Sequence, residues 1–342
     1  MGTMDGTRGS LFVALLLVQG AAADGGAAQS SAATGPLEEA QNFAKAAAER
    51  DPEALLEMLA EGAVLHCSAP AVAAAAAAAA PSAPSFARHS GAAAIVEWFA
   101  DEGRVHDVAA CELLGAQHGV LPRMVSARVA RSDGAIDWLQ LEHGSDGWRV
   151  RHVLRDAAKA PADAPLPTDA ELRAVCHEYV EAFYAAEPKR LAGCVVADLA
   201  KYGFKTWAAE SGAAMSLAEA ERLARVAFAR GRPQPALEAM AVLARQPGSA
   251  VVRLAAVWGI DDLTLVKTVD GWRIAQALWQ TWPTEVAVTL PGLDPAQAIK
   301  PTCPFSGKPI AADSLTLYQG RVVGFCNPGC RDKFAATPLA FR

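Results

Sequence analysis

The segment DLTLVKTVDGWRIAQALW, residues 262–279, decides how the rest of the chain is interpreted. Apolar and polar residues alternate on each side of its Asp-Gly pair, a pattern that is typical of a β-hairpin. The tetrapeptide Asp-Gly-Trp-Arg also occurs at residues 146–149, again between two alternating runs, IDWLQLEHG and VRHVL. A motif that recurs together with its flanks indicates a repeated structural unit.

Each unit places helical patterns before strand patterns. The first has helical patterns at 37–50, 52–60 and 91–100 and strand patterns at 107–114 and 123–131 before its hairpin. The second has helical patterns at 169–185, 188–194 and 217–230 and strand patterns at 237–244 and 250–258. Helices followed by antiparallel strands predict an α+β fold in which a curved sheet wraps against the helices.

This order resembles the nuclear transport factor 2-like superfamily, a cone-shaped α+β fold that includes SnoaL-like polyketide cyclases and ketosteroid isomerases. The second unit is closer to the lumazine-binding group through ADLAKYGF at 197–204 and the hairpin quoted above. That group is expected to carry His-Pro before its Leu-Ala-Lys segment, where this chain has Val196 and Ala197. The resemblance implies two cone-shaped domains, 36–155 and 168–282, that bind a small apolar ligand or partner, or pair as a dimer through their sheets.

An enzyme is the alternative that this resemblance raises. Isomerases of this fold use a buried carboxylate as base and a neutral acid or Tyr to hold an oxyanion. The residue types that could serve are Asp137, His143 and His152 in the first unit and Asp261, Asp262 and His177 in the second. They show no recognisable spacing, so no catalytic residue is nominated.

The tryptophans at 98, 138, 148, 258 and 272 are interpreted as core. An envelope scaffold is a third hypothesis.

The remaining segments are assigned from composition. An alanine-rich insertion at 69–88 interrupts the first domain, and proline-rich segments at 156–167 and 283–300 are predicted to be linkers. Residues 301–342 form a small cysteine-rich tail. At 342 residues, the chain is long enough for two domains and such an appendage.

The N-terminal sequence predicts export. Arg8, the apolar run LFVALLLV at 11–18 and the alanines at 21–23 form the pattern of a signal peptide over residues 1–23, followed by a disordered segment at 24–35. The protein is therefore expected to be periplasmic or extracellular. The apolar run is too short for an integral membrane span. A net charge of −6 provides no basic field for nucleic acid.

Seven cysteines, an odd number, argue against a complete disulfide framework. Cys176 falls on the apolar face of a helical pattern and is predicted to be a buried free thiol, with a disulfide to Cys194 as the alternative. Cys303, Cys326 and Cys330 stand apart because all three lie in the tail.

The tail sequence predicts how these thiols meet. Strand patterns at 314–318 and 321–325 form a hairpin that returns Cys326 towards the loop of Cys303. Asn327 suits a helix N-cap and Pro328 the first helical position. Cys330 then lies in the first helical turn, where we expect backbone N–H groups to lower its pKa.

CPFSGKP at 303–309 and FCNPGCRDKFAATP at 325–338 resemble the YHS/TRASH-like metal-binding domain. Its pattern of Cys, roughly twenty residues, Cys, three residues, Cys is met by Cys303, Cys326 and Cys330. The histidine of the family signature is missing, so Asp313, Asp332, water or a partner's side chain would supply a fourth ligand. The alternative is a disulfide between Cys326 and Cys330.

Three thiolates without imidazole suit soft or borderline ions such as Cu(I) or Zn(II). The leading hypothesis is thus an exported, non-enzymatic binding protein. Its cones bind a small ligand or partner, and its tail binds one metal ion for sequestration, transport or sensing. The enzyme alternative is a SnoaL-like isomerase, cyclase or hydrolase with a structural tail.

Overall fold

The three helices and the following antiparallel strands predicted for each unit are present in the computed structural model, but two further strands precede the third helix of each unit. The structure describes residues 35–68, 86–101, 107–119, 121–157, 163–204 and 212–338. The predicted signal peptide, all but the last residue of the segment at 24–35 and most of the alanine-rich insertion lie outside these residues. Residues 86–88 of that insertion belong to a strand.

Within the described residues, the first cone contains three α-helices and a six-stranded sheet. The helices are α1 (Pro36–Glu49), α2 (Pro52–Met58) and α3 (Ala92–Asp101). The strands are β1 (Leu59–Ser68), β2 (Phe86–Ser90), β3 (Val108–Leu114), β4 (Met124–Arg131), β5 (Ile136–Gly144) and β6 (Gly147–Asp156). The strand order in the sheet is β2-β1-β6-β5-β4-β3.

The second cone repeats this architecture. Its helices are α4 (Asp169–Tyr184), α5 (Pro188–Cys194) and α6 (Leu217–Ala227). Its strands are β7 (Val195–Phe204), β8 (Ala213–Met215), β9 (Glu238–Arg245), β10 (Ser249–Ala256), β11 (Gly259–Thr268) and β12 (Gly271–Thr281). The order β8-β7-β12-β11-β10-β9 matches that of the first sheet strand for strand. The α+β fold class and the internal repeat are therefore confirmed.

One strand pair in each sheet departs from the antiparallel pattern. β1 pairs with β6, and β7 with β12, in parallel. β1 follows directly on the short helix α2, and β7 follows directly on the short helix that ends at Cys194. The backbone of each strand therefore enters the sheet in the same direction as its neighbour, which is the second strand of the central hairpin. The sequence patterns did not predict β1 or β7, and both sheets are mixed.

Local sequence signals explain where the second cone begins. The Thr168 hydroxyl accepts a hydrogen bond from the Glu171 N–H at 3.2 Å, and the Glu171 carboxylate accepts one from the Thr168 N–H at 2.8 Å. This capping box satisfies N–H groups that have no partner within the helix. Ser216 and Glu219 cap α6 in the same way.

The helices cover one face of each sheet, and the other two faces pack against each other. Apolar side chains from both sheets share one buried cluster between the cones: Leu114, Ile136, Trp138, Leu154, Val251, Val266 and Ala275. Buried polar bonds also cross this interface. The Trp138 Nε1–H donates to the Ser249 hydroxyl at 2.8 Å, and Gln276 Nε2 donates to the Val153 carbonyl at 2.8 Å.

The sheet faces that were expected to mediate a dimer are thus covered within a single chain. Pairing of the cones brings Ser126 on β4 to the carboxylate of Asp262 on β11, at 2.9 Å. A dimer of two chains stays a prediction, and it would have to use other surfaces.

The tail consists of the hairpin β13 (Leu315–Tyr318) and β14 (Arg321–Gly324), followed by α7 (Pro328–Ala336). The segment predicted as the second linker packs against this hairpin. Val288 pairs with Leu317 through reciprocal backbone bonds of 2.8 Å, and Val288 and Leu290 are buried. The same apolar cluster includes Tyr202, Phe204 and Leu278 of the second cone, so the hairpin shares a core with that cone. Within the described residues, no helix is long and apolar enough to cross a membrane.

Candidate functional site

The three tail cysteines lie on three different structural elements. Cys303 opens a tight turn in which its carbonyl accepts from the Gly307 N–H at 2.9 Å and its N–H donates to the Lys308 carbonyl at 2.8 Å. Cys326 follows β14, and Cys330 lies in the first turn of α7. The Asn327 side chain caps that helix by accepting from the Cys330 N–H at 3.0 Å, as the sequence predicts.

The hairpin brings the three sulfur atoms together. All three lie within 4.8 Å of one another, and the Cys326 and Cys330 sulfurs are 3.9 Å apart. Three bonds of about 2.3 Å to a common ion require sulfur separations of about 4 Å. The three cysteines therefore form a group that could hold a metal ion after only small side-chain adjustments.

Cys326 and Cys330 form no disulfide, and Cys303 lies close to both of them. All three thiols are free, and 3.9 Å is well beyond the 2.05 Å of a sulfur–sulfur bond. The Ser306 hydroxyl and the Asn327 side-chain amide donate to the Cys326 sulfur at 3.1 and 3.2 Å.

The lowered pKa falls on Cys303 and not, as the sequence analysis expected, on Cys330. Burial raises the pKa of the Cys303 thiol, but hydrogen bonds from the Ser306 hydroxyl and from backbone N–H groups outweigh it and lower the pKa to about 6. Desolvation and the adjacent sulfurs of Cys326 and Cys303 raise the pKa of Cys330. The first sulfur to ionise in the cluster makes it harder for its neighbours to follow.

Among the described residues, the potential ligand group contains only these three cysteines. The carboxylate of Asp313 accepts from the Ser314 hydroxyl at 2.8 Å, and that of Asp332 pairs with Arg331 at 2.8 Å. Neither of these two predicted fourth ligands belongs to the group. A fourth position would fall to water or to a partner.

The predicted buried thiol at Cys176 is confirmed, and it forms no disulfide with Cys194. Burial raises the pKa of the Cys176 thiol far above its ordinary value and that of Cys194 to about 12. Both thiols remain protonated at neutral pH and behave as core side chains.

A second candidate site lies inside the second cone. A cavity of about 140 Å³ is lined by Tyr179, Phe183, Lys201, Leu223, Ala227, Phe228, Trp258 and Trp279. Leu223 and Ala227 on α6 are exposed and mark its mouth. Gly203 leaves room for Trp279, because an added Cβ would lie 1.8 Å from the Trp279 Nε1. The lining is mainly aromatic, as is common in small-molecule pockets.

The polar end of this cavity is a buried network around Asp261. The Tyr179 hydroxyl donates to Asp261 Oδ1 at 3.1 Å, and the Trp258 Nε1–H donates to Oδ2 at 2.7 Å. The Lys201 Nζ lies 2.5 Å from the Tyr179 oxygen and 3.3 Å from Asp261 Oδ1. Burial lowers the pKa of Lys201, although Asp261 opposes the shift, and burial together with the Asp261 charge raises the pKa of Tyr179.

The neighbouring aspartates of β11 point to opposite faces of the sheet, as successive strand residues do. Asp261 faces the cavity, whereas Asp262 faces the other cone and pairs with Arg253 at 2.8 Å. His177 lies on the surface beside Glu238, at 2.8 Å. Of the second unit's three sequence candidates, only Asp261 bonds to residues that line the cavity, namely Tyr179, Lys201 and Trp258.

In the first cone, Asp137 occupies the same position before its Asp-Gly-Trp-Arg turn as Asp261 does in the second. Two guanidinium groups neutralise it: Arg131 at 2.6 Å and Arg155 at 3.2 Å. His152 is buried against Gln140 at 2.7 Å, and His143 stacks edge-on against Trp148 at a centroid distance of 5.0 Å. These candidates serve packing and charge pairing, and they do not surround a common point.

The sequence analysis missed Tyr179, Lys201 and Trp258 as site residues. Tyr179 and Lys201 come from separate elements, α4 and β7, so no short spacing links them. Trp258 was interpreted as core, yet it is only partly buried and lines the cavity. The Leu-Ala-Lys segment that carried the family resemblance was the available signal for Lys201.

Comparison with known proteins gives one family match, and it falls on the second cone. Residues 167–280 match the sequence model of a family described as "Putative lumazine-binding". No curated protein matches the chain.

Solved structures similar to single cones come from several bacteria. An NTF-2 like protein of unknown function from Silicibacter pomeroyi is 17% identical, covers 33% of this chain and 93% of its own, and has a TM-score of 0.27. An NTF2-like protein with a cystatin-like fold from Novosphingobium aromaticivorans is 16% identical, with 37% and 81% covered and a TM-score of 0.27. A ketosteroid isomerase-like protein from Erwinia carotovora atroseptica is 13% identical, with 36% and 92% covered and a TM-score of 0.25.

The fold assignment rests on the repeated strand order described above. The second cone is thus an α+β domain similar over residues 167–280 to the lumazine-binding family, joined to a tail whose three cysteines could hold a metal ion.

Proposed function

We propose that this chain is an exported binding protein. Its YHS/TRASH-like tail holds one soft or borderline ion, Zn(II) or Cu(I), through Cys303, Cys326 and Cys330, for sequestration, transport or sensing. The second cone receives a small, mainly apolar ligand. The export part of the proposal is supported by the signal-peptide pattern at residues 1–23.

The convergence of the three sulfurs within 4.8 Å carries the metal-binding part of this proposal. Thiolates are soft ligands, so a group made of sulfur alone favours Zn(II) or Cu(I) over Mg²⁺ or Ca²⁺. The lowered pKa of Cys303 supports the same conclusion, because the deprotonated thiol is the form that binds metal.

The surroundings of the cluster also suit a metal centre that exchanges its ion. Phe325 and Phe334 pack beside it with ring centroids 5.2 Å apart, and Cys303 is buried. Cys326 and Cys330 are partly exposed. A buried ligand on one side and accessible ligands on the other would let a donor or acceptor molecule approach the ion.

The structure changes what is expected of the tail after metal removal. A tail of about forty residues with its own core would depend on the ion for most of its folding energy. The hairpin instead shares its core with the second cone through Leu315, Leu317 and Val322. Loss of the ion should therefore loosen the cysteine loop and α7 while the hairpin stays docked.

Elemental analysis tests this proposal. Reduced protein that is loaded with Zn(II) or Cu(I), passed over a desalting column and analysed should retain about one ion per chain, because the three sulfurs define a single centre. The Cys111→Ser variant is the matched control, since Cys111 lies on β3 outside the tail. Protein that retains no ion, or variants of the three tail cysteines that retain as much as the control, would contradict the metal-binding role.

A further inference from the structure

The network at the end of the second-cone cavity holds an amine, a phenol and a carboxylate in direct contact. The side chains of Lys201 and Asp261 are almost completely buried, and their polar atoms lie 3.3 Å apart. The Tyr179 hydroxyl bridges them, at 2.5 Å from the amine and 3.1 Å from the carboxylate. An amine, a proton acceptor and a hydrogen-bond donor are therefore present within one apolar pocket.

The first cone shows that this arrangement is not required by the fold. Asp137, the counterpart of Asp261, is held by Arg131 and Arg155, whose guanidinium groups remain charged and are poor nucleophiles. Leu65 pairs with Val153 in the first sheet in the register in which Lys201 pairs with Ala277 in the second. The second cone thus carries a lysine where the first carries an apolar residue.

We infer that Lys201 is a nucleophilic amine that captures a single-ring or similarly sized apolar aldehyde or ketone in the second-cone cavity. This inference rests on the proposal that the cone receives a small ligand, and it names the chemical class of that ligand. An apolar cavity of about 150 Å³ accommodates a benzene ring, so a ring of this size matches the 140 Å³ available. The Tyr179, Phe183 and Trp258 rings would contact the apolar body of the ligand.

The reaction balances with the groups that are present. Asp261 accepts a proton from the Lys201 ammonium, and the free amine nitrogen forms a bond to the carbonyl carbon. The carbonyl π-bond breaks, and its oxygen takes the proton of the Tyr179 hydroxyl while the attacking nitrogen, now positively charged, returns a proton to the Tyr179 oxygen, which gives a neutral carbinolamine. Return of the proton from Asp261 to that hydroxyl lets water leave, and a C=N bond to Lys201 remains. No oxidant or reductant is consumed.

Cavity access provides a way to test the site without disturbing the network. Leu223 lies at the mouth of the cavity and is 37% exposed. Its apolar side chain takes no part in the buried hydrogen-bond network. A Leu223→Trp variant should close the mouth and leave Asp261, Tyr179 and Lys201 in place.

The experiment treats the full-length wild-type protein with dilute benzaldehyde and cyanoborohydride at pH 7 and maps the benzylated lysines by peptide mass spectrometry. Lys201 should be labelled several-fold faster than Lys45, whose side chain is 70% exposed, because the cavity holds the aldehyde beside the Lys201 amine and burial lowers the pKa of that amine. Leu223→Trp should remove this excess and leave the labelling of Lys45 unchanged.

A parallel titration with toluene, followed by calorimetry, tests the ligand site separately from covalent capture by Lys201. Preferential labelling of Lys201 supports both the ligand site and its chemistry. Toluene binding that Leu223→Trp abolishes, together with labelling of Lys201 no faster than that of Lys45, overturns the covalent capture and leaves the ligand site standing. Absence of both binding and labelling overturns the inference together with the proposed role of the second cone.

Discussion

Replacing Arg253 with leucine should lower the free energy of unfolding by about 3–5 kcal/mol, because it leaves the buried Asp262 carboxylate without its cationic partner. Arg253 donates to both oxygens of Asp262, at 2.8 and 3.0 Å. It also donates to the carbonyls of Gly115 and Gly119, at 3.2 and 3.1 Å, and so ties the second cone to a turn of the first. Urea unfolding monitored by tryptophan fluorescence provides the measurement.

Two further variants separate this effect from a general loss of charge. The double variant Arg253→Leu/Asp262→Leu should regain a large part of the stability, since a buried ion pair replaced as a unit by apolar side chains costs little. Arg128→Ala removes an exposed pair with Glu112 and should cost less than about 1 kcal/mol. A loss for Arg253→Leu as small as that for Arg128→Ala would contradict the role assigned to this pair.

Cys330→Ser should reduce the affinity for Zn(II) by more than about 100-fold. Changes to groups that only orient a metal ligand already cost 10- to 100-fold, and this substitution removes one of three sulfur ligands. Competition with a chromogenic chelator measures the affinity. The free energy of unfolding without metal should change little, because Cys330 is partly exposed on α7.

Cys111→Ser serves again as the control for thiol loss outside the cluster, and it should leave the affinity within a factor of about two of wild type. Equal affinities for Cys330→Ser and Cys111→Ser would show that the ion is bound elsewhere on the chain.

Local signals in the sequence were sufficient to predict the helices and the four consecutive antiparallel strands of each sheet. The Asp-Gly turns located both central hairpins, and the pair Asn327/Pro328 marked a helix start that the structure places at the same residues. The cysteine cluster was also predictable. A hairpin has a fixed geometry, and it determines which residues of the tail return to the same point.

Long-range contacts were not predictable in this way. The strands β1 and β7 carry no strict alternation, because both faces of such strands are buried in the chain and apolar residues recur on each. The Tyr179–Lys201–Asp261 network joins α4, β7 and β11, so its members are close only after the cone has formed. The pairing of Asp262 with Ser126 across the two cones is non-local for the same reason.

The two cones differ in what surrounds their buried aspartate. Both cones bury an aspartate at the same position, but Arg131 and Arg155 occupy its surroundings in the first cone. In the second cone, the corresponding space is a cavity lined by Phe183 and Trp258. The ligand site that we propose therefore lies in the second cone.

X-ray absorption spectroscopy of the Zn(II)-loaded, reduced protein tests the central claim most directly, because it counts the atoms bound to the ion. The account predicts three sulfur neighbours at about 2.3 Å and one lighter atom at about 2.0 Å. The three sulfurs would be those of Cys303, Cys326 and Cys330, which already lie within 4.8 Å of one another. An ion surrounded by oxygen and nitrogen alone, or by a single sulfur, would contradict the assignment of this cluster as the metal centre.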